Sequence, residues 1–137
     1  MIGIVLISHC NLAGEIHKTV EMIMGNQQCL QSVDLHPGES KENFKLRVKE
    51  AVFKVDRGKG VLILADFFGG TPCNACLELM GSEFRNAKVD ILTGLNLPMA
   101  VKACKECRVK SLEELVSVVK RAAKDSVMSY SELVTNY

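Results

Sequence analysis

Residues 2–8 (Ile-Gly-Ile-Val-Leu-Ile-Ser) form an unbroken, β-branched apolar run with polar residues behind it, which predicts a strand covered on both faces. From Asn11 the apolar positions Leu12, Ile16, Val20 and Ile23 follow helical spacing. Asn11 is placed to cap that helix and Gly25 to stop it. Cys29 to Leu35 predicts a weaker strand, closed by the turn residues His36-Pro37-Gly38. Ser40 then caps a second helix, whose Phe44, Val48, Ala51, Val52 and Val55 line one face. Val61 to Ala65 is a second doubly buried strand, ended by Asp66 and the segment Phe67-Phe68-Gly69-Gly70-Thr71-Pro72. With Thr71 as N-cap and Pro72 as first helical residue, a helix runs to about Met80. Lys88 to Leu92 predicts a fourth strand, Thr93 to Asn96 a loop, and Pro98 to Cys107 a short helix. Ser111 and Glu114 form a capping box before a last helix lined by Leu112, Leu115, Val116, Val119 and Ala122. The tail from Asp125 has β-like pieces at Val127, Met128 and Tyr130.

Strands alternate with helices throughout, so the expected fold is α/β: a three-layer open sheet, mainly parallel, with helices on both faces. At 137 residues the chain is expected to be one domain, since domains run to about 100–200 residues. Lys and Arg number 17 against 16 Asp and Glu, so no general field attracts DNA or an anionic membrane. With no Trp and 5% aromatic residues, a stacking platform for single-stranded nucleic acid is unsupported. The amino terminus has no basic residue before its apolar run, and no stretch approaches the ~18 apolar residues of a membrane span. A cytoplasmic location is expected, and with it reduced thiols at Cys10, Cys29, Cys73, Cys76, Cys104 and Cys107.

Ligands of such folds sit beyond the carboxyl ends of the strands, where strand order reverses. If the first and third strands flank that point, His9 and Asp66 emerge side by side. A carboxylate holding one ring N–H leaves the other imidazole nitrogen with a free lone pair, which makes a nucleophile. Gly69 and Gly70 let backbone amides approach a ligand, and the helix after Thr71 offers donors to an anion. This suits phosphoryl transfer to His9; His17 and His36 read as surface or satisfied residues. A different class is a thioredoxin-like thiol–disulfide module using Cys73 and Cys76, a C-x-x-C at a helix start. Cys104-Lys105-Glu106-Cys107 adds a second such pair, but the 27 residues between the pairs exceed the usual zinc-ribbon gap of about 15–20. No metal or cofactor is expected.

At these same residues the chain resembles the mannose-type IIA domain of the bacterial sugar phosphotransferase system. The resemblance runs over nearly the whole chain. It is carried by IGIVLISH, by Pro37-Gly38-Glu39, by GVLILADFFGGTPCNA and by GLNLPM from Gly94 to Met99. The pattern Asp-x-x-Gly-Gly-(Ser/Thr)-Pro-x-Asn, from Asp66 to Asn74, is specific in combination with the histidine and the Asn96-Leu97-Pro98-Met99 loop. The resemblance implies that His9 is phosphorylated by the phosphocarrier HPr and passes the group to a IIB component. Through IIB it would serve the membrane IIC and IID subunits. It implies that Asp66 holds the histidine ring and that the Thr71 hydroxyl lies near the phosphate, in a site with Gly69 and Gly70. It also implies a homodimer in which a C-terminal strand, here 125–137, is exchanged between subunits. A separate IIB partner is expected, because the chain stops without one. Leu12, Phe67, Phe68, Asn96, Pro98 and Met99 are the expected rim where partners dock. Thr71 stands where Ser is frequent, and Cys10 where Gly or Ser is common.

Overall fold

The computed structural model describes residues 1–135. Four strands, β1 (Gly3–His9), β2 (Leu30–Leu35), β3 (Val61–Ala65) and β4 (Val89–Leu92), form one sheet in the order β2-β1-β3-β4, parallel throughout. Helices α1 (Leu12–Met24), α2 (Lys41–Val55), α3 (Thr71–Met80), α4 (Leu97–Glu106) and α5 (Leu112–Asp125) connect and follow them. Side chains alternate across a strand, so each central strand serves two cores. Ile4, Leu6, Leu62 and Leu64 join Ala13 and Val20 of α1, Met99 and Ala103 of α4, and Leu115 and Val119 of α5. Val5, Ile7, Ile63 and Ala65 join Phe44, Val48 and Val52 of α2 and Cys73, Cys76 and Leu79 of α3. Both faces of β1 and β3 are therefore dry, which is why their sequences lack alternation.

Several helix starts are held differently from what the sequence predicts. Asn11 makes no side-chain cap to α1. That end is held instead by the sheet: Ser8 Oγ accepts from the Ala13 N–H at 2.7 Å, and Asp34 Oδ1 accepts from the Gly14 N–H at 3.0 Å. Thr71 is the first helical residue of α3 and Gly70 its N-cap, one position earlier than expected. Asn96 caps α4 by accepting from the Met99 N–H at 2.9 Å. The capping box of α5 forms as expected.

The tail departs from its β-like reading. Tyr130–Thr135 form a short helix, α6, with no buried residue. Its start carries a second capping box, in which the Glu132 N–H donates to Ser129 Oγ and the Ser129 N–H donates to the Glu132 carboxylate. A lone strand leaves its backbone polar groups without a ladder, whereas this box satisfies them locally. Asn136 and Tyr137, the last part of the expected exchange segment, lie outside the described residues. No helix among the described residues is long and apolar enough to cross a membrane.

Candidate functional site

Strand order reverses between β1 and β3, and the register pairs Ile7 with Ala65. The residues just past that pair, His9 and Asp66, therefore leave the sheet together at its carboxyl edge. Parity puts His9 on the face of Ile7, which α2 and α3 cover, and puts Ser8 on the opposite face under α1. Asp66 Oδ2 lies 2.6 Å from His9 Nδ1 and also accepts the His9 backbone N–H at 2.9 Å, while Oδ1 accepts the Phe67 N–H at 2.9 Å. Burial would raise the Asp66 pKa, but the hydrogen bonds from the His9 backbone and ring and from Phe67 outweigh it and hold the carboxyl below its ordinary range. An ionised carboxylate only accepts, so the short contact assigns the proton to Nδ1 and leaves Nε2 with its lone pair. The His9 side chain is 41% exposed and that of Asp66 9%. The nucleophile is open to a partner and its orienting group is not.

The ring's surroundings are just as specific. Phe67 stacks on the imidazole, with centroids 5.2 Å apart and planes 15° from parallel. A Cβ added to Gly70 would meet His9 Cε1 at 2.6 Å and Nε2 at 3.3 Å, so the absence of a side chain there is what admits the ring. Gly69, at φ 89°, makes the left-handed turn that delivers the chain to α3. Since Gly70 is the N-cap of α3 and has no capping side chain, Nε2 faces a helix start whose first-turn amides are left for an anion. The exposed Thr71 stands there with its hydroxyl, and Asn74 Nδ2 ties the turn by donating to the Gly69 carbonyl at 3.1 Å. The amino terminus of α1, by contrast, is already taken by Ser8 and Asp34. Sequence reading missed these two, because their partners become visible only once the β1–β2 register is known. Cys10 is the only non-glycine residue among those described with positive φ, at 54°; its N–H donates to the Leu35 carbonyl at 3.0 Å.

Of the expected rim, Phe67 is 56% and Phe68 73% exposed, and Leu12 is also exposed. Pro98 is exposed as well. Met99 is 1% exposed and belongs to the core beneath α4, so its side chain is not a docking residue: the helix periodicity after the Asn96 cap turns it inward. Asn96 is used as that cap. His17 bonds to Ser32 Oγ at 3.0 Å and His36 lies in the β2–α2 turn beside Arg47, and neither hydrogen-bonds to Asp66.

The cysteine pairs are core. Cys73 and Cys76 are buried in α3, and burial, with Cys73 adjacent, pushes the Cys76 thiol up to about 12. Cys29 lies with its sulfur 3.9 Å from Cys104 Sγ; that hydrogen bond pushes Cys29 up to about 12, and the bond to Cys29 likewise raises Cys107. Disulfide exchange runs through an accessible thiolate. All of these thiols are buried, which counts against the thioredoxin-like alternative.

Known proteins resemble the chain in sequence and in fold. The chain is 31% identical over 127 residues to the mannose-specific EIIAB component of the PTS system of Escherichia coli K12. That alignment covers 92% of this chain but only 38% of the relative's length. It is 30% identical over 134 residues to the sorbose-specific EIIA component of Lacticaseibacillus casei, covering 96% of this chain and 93% of that protein. Among solved structures, phosphotransferase system component EIIA from Streptococcus agalactiae superposes with a TM-score of 0.87 at 27% identity, over 96% of this chain and 99% of that one. The mannose/sorbose-specific IIA subunit from Enterococcus faecalis gives 0.81 at 25% identity, over 93% of each chain. The model of the family described as PTS system fructose IIA component matches residues 3–120, a span that includes the strand-end histidine, its carboxylate and the glycine turn, and the chain therefore belongs to that family.

Proposed function

We propose that the protein is a phosphoryl carrier, taking a phosphoryl group from phospho-HPr onto His9 Nε2 and passing it to a IIB component for sugar uptake. The 2.6 Å contact of Nδ1 with the largely shielded Asp66 carboxylate is the observation that carries this reading. In the accepting step the Nε2 lone pair forms the N–P bond as the bond from phosphorus to the donor's imidazole breaks. The proton stays on Nδ1, and the Asp66 charge balances the cationic character that the ring gains. Such transfer asks the protein mainly for position and charge stabilisation. Thr71 Oγ and the amides at the start of α3, with Gly69 and Gly70, meet the phosphoryl oxygens. No Lys or Arg stands in Ser8-His9-Cys10 or in 66–72, so the group is not trapped by a full positive charge and stays transferable. Leu12, Phe67, Phe68 and Pro98 form an apolar rim on which donor and acceptor dock in turn, and the IIB component hands the group on toward the membrane IIC and IID subunits.

The same reading takes residues 1–137 as one IIA domain that functions as a homodimer, held by the tail from Asp125. Val127, Met128, Tyr130, Leu133 and Val134 are all exposed, an apolar set that a free tail does not need. Pairing of such a segment with a second copy is a low-cost route to a closed dimer.

Asp66→Asn tests the catalytic part. The amide still accepts a hydrogen bond but lacks the charge, so the rate of label transfer from phospho-HPr, measured by rapid quench, falls ~10²-fold or more. An unchanged rate would leave Asp66 as a turn residue only.

A further inference from the structure

We propose that Phe67 is a positioning residue for His9, beyond its place in the apolar rim. One carboxylate holds the His9 ring and the Phe67 backbone: Asp66 Oδ2 holds His9 Nδ1 at 2.6 Å, and Oδ1 accepts the Phe67 backbone N–H at 2.9 Å. The two ring planes come to lie 15° apart at 5.2 Å. The hydrogen bond to Nδ1 fixes one edge of the imidazole but leaves rotation about that contact. A flat neighbour on the ring face removes this freedom, and the Gly70 backbone closes the Cε1 side, where an added Cβ would lie 2.6 Å from His9 and a further 3.2 Å from Phe67 Cζ. Nε2 is thus aimed along one direction, toward the start of α3. Phe68 has no ring partner among the described residues and is left to docking. An aromatic residue that stays 56% exposed while lying parallel to the nucleophile is placed for the ring as well as for a partner.

The kinetic consequence rests on the phosphoryl-carrier reading; the ordering of the ring does not. Phe67→Leu keeps an apolar rim and removes the flat face, and Phe67→Tyr keeps the face. With phospho-HPr as donor, Phe67→Leu lowers kcat about tenfold or more, within what small misplacement of a reacting group costs. KM stays within about twofold, and Phe67→Tyr restores kcat. Carbon relaxation of the His9 Cε1 and Cδ2 positions, measured on labelled protein with no donor present, shows lower ring order in Phe67→Leu than in the wild type or Phe67→Tyr. A raised KM with unchanged kcat would make Phe67 a docking residue and overturn the proposal, as would unchanged ring order. Wild type that takes no phosphoryl group would instead defeat the carrier reading, and the relaxation result alone would then decide the role of Phe67.

Discussion

A methyl group on Gly70 would sit 2.6 Å from His9 Cε1, a distance no relaxed contact permits, and the other side of the ring is held by Asp66. Gly70→Ala therefore pushes the imidazole off its hydrogen bond. Gly70 has φ −77° and ψ 163°, ordinary for alanine, so the backbone is not strained by the change. Gly70 is buried, so we expect a loss of stability of about 1–3 kcal/mol, the range for a lost hydrogen bond to a charged group, together with a fall in phosphoryl acceptance of about 10²-fold. Rapid-quench labelling beside a melting curve checks both. At this scale His9 and Asp66 were legible in the sequence, because each ends a doubly apolar run. The stacking of Phe67 and the inward turn of Met99 were not, since both depend on where a side chain points after its loop has folded.

The β2–α2 turn shows how an element is fixed by one carboxylate. Glu39 accepts from the His36 N–H at 3.1 Å, from Asn43 Nδ2 at 2.6 Å and from Arg47, which also donates to the Asp34 carbonyl at 2.8 Å. Desolvation opposes ionisation, but these donors prevail and lower the Glu39 pKa below its ordinary 4.5. A depressed carboxylate contributes stability that is complete above its unfolded pKa and is lost as pH falls through the folded one. Glu39→Gln should therefore lower the melting temperature near neutral pH, and the gap from wild type should close on acidification below 4.5. A gap that widens at low pH would contradict this. The helices themselves were readable from spacing and caps: α2, and the Ser111 capping box of α5, form as their residues predict. The box at Ser129 and Glu132 was passed over because the apolar residues around it read as strand. Short apolar runs do not by themselves distinguish the two states.

For the whole molecule, alternation along β1 and β3 gives two cores and puts the strand reversal beside His9. The two cores follow from the unbroken apolar runs, whereas the strand order does not and enters the sequence reading only as a condition. The partner of the tail does not follow either, because a segment whose apolar side chains find no cover in its own chain carries no address for where cover lies. Truncation after Lys124 should turn a dimer into a monomer or an aggregate in sedimentation at micromolar concentration, with lower thermal stability. A full-length monomer, or a truncated form that remains a dimer, would contradict the exchange.

The carrier reading stands or falls on one atom. After incubation with phosphoenolpyruvate, the general phosphotransferase enzyme and HPr, the intact-mass spectrum of the wild type should gain one phosphoryl group, labile in acid and stable in base. His9→Gln should gain none, while changes at His17 or His36 leave the gain intact. A phosphoryl group retained in His9→Gln, or a wild type that never acquires one, would contradict the account.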